Sequence, residues 1–287
     1  MMTRRSFLKG TAAGIAGAAA APKLLRAEEA AAPKIRVSAC DWSLGASGPG
    51  GMEVAKRCTL DGLELSPGGP ADKLQIADAA YRQKIKEAVK ATGVPVSSLA
   101  MGLLNDCPLA SDPRGPAWLE QTIEATRDLG AKVILMAFFG RGDLLQGAEV
   151  KTKELDAVIG RLKDAAPKAK ECGVYLGVES YLSAKQNMDL LERVGSDWVR
   201  VYYDCRNSTD KGYDAPAEIR LLKDRICQVH FKDGGHYLGE GPLKWEPAAE
   251  ALKAIGYKGW YVLETACPKN RDADFTRNAA YLRKLMA

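Results

Sequence analysis

Four side chains able to bind a hard divalent cation close four consecutive apolar segments. The segments are Gly173-Val-Tyr-Leu-Gly-Val-Glu179, Trp198-Val-Arg-Val-Tyr-Tyr-Asp204, Ile226-Cys-Gln-Val-His230 and Gly259-Trp-Tyr-Val-Leu-Glu264. Successive members are separated by 25, 26 and 34 residues, each about one strand-plus-helix unit. Taken singly, a carboxylate at a strand end is as ordinary as a loop ion pair or a helix cap. Four in succession are another matter, because charged or imidazole groups after apolar runs are costly to bury unless they are paired or bound to metal. The set is oxygen-rich with one imidazole, which suits Mn²⁺, Mg²⁺ or Co²⁺ better than a thiolate-preferring metal. Mn²⁺ is the favoured ion, and Zn²⁺ remains an alternative. Cys205 neighbours Asp204, but adjacent side chains of an extended strand face opposite ways, so it is not expected in the cluster.

For these residues to meet, their segments must converge. Eight short β-branched or aromatic runs alternate with helical patterns: 35–41, 62–66, 95–101, 132–138, 174–179, 198–204, 226–232 and 260–264. Helices are expected over 74–92, 117–129, 153–172, 245–255 and 273–286, and the first four are followed by Gly93, Gly130, Gly173 and Gly256. This alternation predicts parallel strands joined by helical crossovers. Eight units in one chain of this length favour a single α/β domain, a (β/α)₈ TIM barrel over 33–287, in which strand C-termini gather on one catalytic face. The first strand lacks the G-x-G-x-x-G that would follow it in a dinucleotide-binding sheet, so no organic cofactor is expected.

At these residues the chain resembles the xylose isomerase-like barrels, a family of sugar phosphate isomerases and epimerases that includes ketose 3-epimerases and hydroxypyruvate isomerase. The resemblance covers nearly everything after residue 33. It is carried by Val178-Glu179-Ser180, Tyr202-Tyr-Asp204-Cys-Arg-Asn207, Val229-His230-Phe-Lys232-Asp233 and the tail from Gly239 through Trp245 to Glu264. It implies metal ligands at Glu179, Asp204, His230 and Glu264, with the two glutamates also serving as the acid/base pair. Family members of the epimerase type commonly carry His where this chain has Asn207. That departure touches the substrate contacts expected of a ketose 3-epimerase rather than the metal.

The chemistry such a site supports is proton transfer next to a carbonyl. A cation on the carbonyl oxygen stabilises the enediolate that forms when the neighbouring carbon loses its proton. Two carboxylates on opposite faces then give epimerisation, and one shuttling base gives aldose–ketose isomerisation. Trp42, Glu64, Phe138, Asn207, Lys232 and His236 sit at strand ends or in the loops beyond and are candidate substrate contacts. The glycines 234, 235, 239 and 241 fit either a phosphate-binding loop or tight turns. The expected activity is a metal-dependent isomerase or epimerase on a small, non-phosphorylated carbohydrate. The alternatives are a dehydratase or lyase on a keto-sugar or glycoside, and a carbohydrate-binding barrel without turnover.

The remaining expectations come from the N-terminus and the composition. Thr3-Arg4-Arg5-Ser6-Phe7-Leu8-Lys9 followed by the Ala/Gly run 10–21 resembles a twin-arginine signal. Residues 1–32 are therefore expected to engage the twin-arginine translocation machinery and deliver the protein to the periplasm. Membrane contact is expected only in export or through an uncleaved signal, and a homo-oligomer is left open. The formal charge of +5 comes from the five basic residues that precede Glu28, and beyond residue 27 there are 36 basic and 36 acidic side chains. A neutral body gives no electrostatic basis for binding nucleic acid, and the apurinic-endonuclease branch of the same superfamily needs more histidines than His230 and His236. The seven cysteines contain no C-x-x-C pair and are expected to be small buried hydrophobes.

Overall fold

The computed structural model describes residues 35–287, so the expected signal over 1–32 lies outside the described residues. Eight parallel strands close a barrel: β1 (Arg36–Cys40), β2 (Gly62–Leu65), β3 (Val96–Met101), β4 (Val133–Phe138), β5 (Tyr175–Ser180), β6 (Val199–Asp204), β7 (Ile226–Phe231) and β8 (Trp260–Leu263). They follow one another around the ring in chain order, and β8 closes it on β1 with Arg36 opposite Trp260 and Ala39 opposite Leu263. This is the expected (β/α)₈ barrel. A two-residue hairpin, Leu145–Gln146 with Glu149–Val150, decorates the loop after β4.

The outer ring comprises α1 (Gly48–Arg57), α2 (Ala79–Thr92), α3 (Gly115–Asp128), α4 (Thr152–Cys172), α5 (Ala184–Val194), α6 (Ala215–Leu222), α7 (Trp245–Ala254) and α8 (Arg271–Met286). Their ends are set locally. Ser183 and Gln186 form a reciprocal capping box at the start of α5, and Gly195 ends it at φ 71°. The single helix expected over 74–92 is divided. Gln75–Ala77 is one 3₁₀ turn, and the Asp78 carboxylate accepts the Tyr81 N–H at 2.8 Å to start α2 afresh. Leu74 and Ile76, which extended the helical pattern in sequence, are instead buried anchors of the loop.

The core has two parts. The larger lies between strands and helices, and a smaller one inside the barrel contains Cys40, Ala100, Val133, Leu135, Ala137, Tyr202 and Val262. Parallel strands buried on both faces read as continuous apolar runs, which is why β4 shows no polar alternation. All seven cysteines are free, with Cys40, Cys58, Cys172 and Cys205 buried. No helix among the described residues is long and apolar enough to cross a membrane.

Candidate metal centre

Glu179 lies in the C-terminal part of β5, Asp204 ends β6, His230 is the penultimate residue of β7, and Glu264 follows β8. Register brings them level: Asp204 pairs with His230, and His230 with Val262, so Glu264 projects just above. One ligand atom from each of the four lies within 4.8 Å of the others. His230 Nδ1 is 3.0 Å from Glu179 Oε1, 3.4 Å from Glu264 Oε2 and 4.0 Å from Asp204 Oδ2.

The donor set fits a divalent cation. Asp204 Oδ2 is buried and accepts no hydrogen bond, although the Lys232 ammonium lies 3.1 Å away. Four carboxylates, those of Glu64, Glu179, Asp204 and Glu264, crowd one imidazole and one ammonium. Such an excess of buried negative charge calls for a further positive charge. Burial pushes the Glu179 carboxyl up to about 7, against the pull of His230. Burial acts on Glu264 in the same direction, but His230 and Lys232 outweigh it and hold the carboxyl below its ordinary value. For His230, burial disfavours the charged ring, yet the charges of Glu179 and Glu264 and the hydrogen bonds the ring donates to Glu179 and Glu64 raise it well above its ordinary value.

Beneath the cluster the barrel interior is polar. Glu64 is fully buried, its Oε1 3.0 Å from His230 Nε2, while its Oε2 accepts from Ser98 Oγ at 2.6 Å and Tyr202 OH at 2.8 Å. Gln228 Nε2 ties Ser98 Oγ and Tyr202 OH together at 2.6 and 3.1 Å. A carboxylate on Nε2 fixes the ring and aims Nδ1 at the cluster, where a bound cation would take the place of the Nδ1 proton. Glu64 was expected to touch substrate; it lies instead below the imidazole and orients it.

The other expected contacts divide. Trp42 is 43% exposed at the rim, and its indole Nε1 donates to Glu264 Oε1 at 3.2 Å. Lys232 Nζ is 2.7 Å from Glu264 Oε2, and Asn207 Nδ2 reaches Glu179 Oε1 at 3.5 Å. Asn207 is placed there by Asp204, whose Oδ1 accepts the Asn207 N–H at 2.9 Å and caps the short helix Cys205–Asp210. Cys205 turns outward into the main core, as expected. His236 does not join the cluster. It is exposed, in a turn closed by its backbone N–H on Asp233 O. The glycines beside it serve that turn and its packing: Gly234 has φ 58°, and a Cβ on Gly241 would overlap the Asp233 carboxylate.

Phe138 is not a pocket wall. It is buried in the main core, and the next residue, Phe139, lines the cavity together with Leu135 and Ala137. The two substitutions should therefore separate. Phe138→Ala is expected to cost about 3–5 kcal/mol of stability. Phe139→Ala, which removes a half-buried ring from the cavity wall, should lower the melting temperature much less, as thermal melts on both variants will register.

A cavity of about 560 Å³ opens above the cluster, bounded by Glu179 and Glu264 at one end and by Asp41, Ser66 and Asn105 toward the other strands. Asp41 was not singled out in the sequence. It follows β1, is 3% exposed, and accepts Ser66 N–H at 2.8 Å and Ser66 Oγ at 2.7 Å. The rule that found the other strand-end acids would have found it.

Known proteins share this architecture. The chain is 28% identical over 212 residues to the 2-epi-5-epi-valiolone 7-phosphate 2-epimerase of Actinoplanes sp., covering 72% of this chain and 76% of that protein. It is 25% identical over 231 residues to the L-ribulose-5-phosphate 3-epimerase UlaE of Escherichia coli, covering 74% and 80%. Its fold superposes on the structure of an L-ribulose 3-epimerase with a TM-score of 0.73, at 22% identity over 88% of this chain and 94% of the other. The xylose isomerase-like TIM barrel family matches residues 52–285, a span that includes the whole Glu179, Asp204, His230 and Glu264 cluster, and the chain belongs to that family.

Proposed function

We propose that the protein is a metal-dependent sugar epimerase. The observation that carries this reading is the placement of two carboxylates, Glu179 and Glu264, against one imidazole nitrogen at the mouth of a sugar-sized cavity. The relative named as an L-ribulose-5-phosphate 3-epimerase supports the sugar class, and the one named as a 2-epi-5-epi-valiolone 7-phosphate 2-epimerase supports epimerisation. Glu179, Asp204, His230 and Glu264 would hold the cation, with Mn²⁺ favoured by the oxygen-rich donors. Bound there, it would supply electrophilic stabilisation of negative charge on the substrate carbonyl oxygen.

The chain's own residues do the rest. One glutamate takes a proton from the carbon beside the carbonyl, and the other returns one to the opposite face, inverting that centre. Lys232 holds Glu264 through its 2.7 Å contact, and Trp42 fixes the other oxygen of the same carboxylate. Glu64 keeps the imidazole in one orientation from below.

The test is ¹H NMR in D₂O over a panel of ketoses, using protein purified without chelator and analysed for metals. Solvent deuterium entering one carbon with inversion and no loss of mass is the expected result. Loss of water or of an aglycone would replace epimerisation with elimination.

The protein is further proposed to act in the periplasm after twin-arginine export, a reading supported by Thr3-Arg4-Arg5-Ser6-Phe7-Leu8. Residues 1–32 fused to a folded reporter should carry it across the inner membrane. Arg4→Lys with Arg5→Lys should abolish that transport, and undiminished export of the double variant would refute the signal. A protein exported folded acquires its cation in the cytoplasm, away from the Cu²⁺ and Zn²⁺ that bind such sites more tightly.

A further inference from the structure

The charge of the barrel is balanced in total but not in place. Each of the eight outer helices carries a lysine or arginine in its last turn, whereas only α4, α6, α7 and α8 carry an acidic residue in the first. Basic groups suit the negative end of a helix dipole and acidic groups the positive end. Dipole matching alone would mark both ends alike, and here it marks the C-terminal end throughout. In a (β/α)₈ barrel the helix C-termini share one face with the strand N-termini, opposite the catalytic mouth.

The strand starts add to that face. Arg36, Lys132, Lys223 and Lys258 are exposed at, or within three residues ahead of, the starts of β1, β4, β7 and β8, and Arg200 and Arg225 stand half-buried beside β6 and β7. Within three residues ahead of the eight strands the acids are Asp61, Asp197 and Asp224. Two of these are matched locally, Asp61 by Arg283 at 2.8 Å and Asp197 by Arg225 at 2.8 Å.

Aromatic rings lie among these cations. Trp260 opens β8 with the Arg36 guanidinium 4.7 Å from its ring centre, and Tyr175 opens β5 with the Arg200 guanidinium at 4.3 Å and Trp198 stacked at 4.9 Å. All three rings are half-buried. Lys223 has φ 50° and ψ −124°, a conformation that glycine adopts at far less cost. An exposed lysine stands where the turn itself favours glycine.

We propose that the face made by the strand N-termini is a docking surface for an anionic lipid bilayer. It is independent of the chemistry assigned to the cavity. Lysine and arginine set among tryptophan and tyrosine suit a headgroup layer, where the cations meet phosphates and the rings occupy the interface. The cations here surround the end of the barrel, a layout that fits a plane of headgroups. Trp260 and Tyr175 are covered by guanidinium groups, which leaves them poor platforms for stacking nucleic-acid bases. β1 also starts on this face, so the chain enters the barrel on the side turned to the bilayer, and the cavity at the opposite end stays open to solvent.

The test is co-sedimentation of the full chain with vesicles of phosphatidylglycerol and phosphatidylethanolamine, with phosphatidylcholine vesicles as the neutral control. Lys132→Gln, Lys223→Gln and Lys258→Gln combined should lower partition onto the anionic vesicles by on the order of 100-fold, at about fivefold for each basic side chain removed. Lys153→Gln, Lys185→Gln and Lys269→Gln combined remove the same charge from exposed positions on the cavity side and should leave partition near the wild-type value. Residues 1–34 are identical in all three proteins, so their own contribution is common to them. Lys223→Gly relieves the turn and should weaken partition about fivefold without lowering the melting temperature. Raised salt should release the wild type. Equal partition of the wild type and the first triple variant, an equal loss in both triple variants, or equal binding to neutral and anionic vesicles would overturn the docking surface. Binding of duplex DNA without partition onto the vesicles would overturn it as well.

Discussion

Glu264→Gln is expected to lower turnover by about 10²–10⁴-fold while most of the bound metal remains. The amide keeps an oxygen able to reach the cation but cannot carry the proton. Asp204→Ala and His230→Ala should behave differently, losing metal and activity together, because each deletes a ligand outright. If Glu264 is only a rim carboxylate paired with Lys232, its Gln variant will melt slightly earlier and turn over normally. Metal content, turnover and melting temperature measured on the same three proteins distinguish the roles. The Lys232 contact at 2.7 Å and the Trp42 contact at 3.2 Å both belong to Glu264, so the stability change should be small but present.

The second large effect concerns a residue that touches neither cavity nor cation. Glu64→Gln should weaken metal binding by about 10–100-fold. In the wild type, the Glu64 carboxylate accepts from three sides: His230 Nε2, Ser98 Oγ and Tyr202 OH. Gln keeps one acceptor oxygen and introduces two donors. If the oxygen serves Ser98 and Tyr202, the amide NH₂ faces His230 Nε2, which must then accept, and the ring proton moves to Nδ1, the atom that faces Glu179. A cation would have to displace it. Glu64→Ala is the harsher variant, since it leaves three buried polar groups without an acceptor at about 1–3 kcal/mol each. Manganese titration of the Gln variant, with its melting temperature as the folding control, reads the effect directly. Unchanged affinity would mean that the ring is held by packing alone, through its edge contacts with Tyr202 at 4.6 Å and Trp42 at 6.1 Å.

How much of this was legible in the sequence depends on which physical rule each residue obeys. The barrel and its four strand-end groups were legible because alternation of elements and spacing by one β/α unit are properties of the chain alone. Asp204 shows the limit of that rule, since in the structure one oxygen caps a helix and the other faces the cluster. Glu64 was visible as a strand-end acid, but its depth was not. It lies opposite Cys40 and Ser98 within the barrel, whereas Asp41, one residue beyond β1, reaches the cavity. One strand step thus separates a buried orienting group from a pocket wall.

Phe138 and Phe139 failed for a related reason. β4 is buried on both faces, so Val133-Ile-Leu-Met-Ala-Phe-Phe139 carries no polar alternation to say which aromatic turns inward. Only the pairing of Ala137 with Glu179 on β5 settles it. The break at Asp78 was masked because Leu74 and Ile76 continue the apolar content of the helix that follows. Its capping aspartate was the available signal. His236 was drawn in by residue type alone, and a turn carries it to the surface.

The central claim, that Glu179, Asp204, His230 and Glu264 together hold one divalent cation, is tested most directly by anomalous diffraction. Crystals of protein prepared without chelator and supplied with Mn²⁺ would be measured on either side of the manganese edge. The account predicts one strong anomalous peak bounded by His230 Nδ1 and the carboxylate oxygens of the other three. A peak bound elsewhere, or none at these four residues in manganese-saturated crystals, would contradict it.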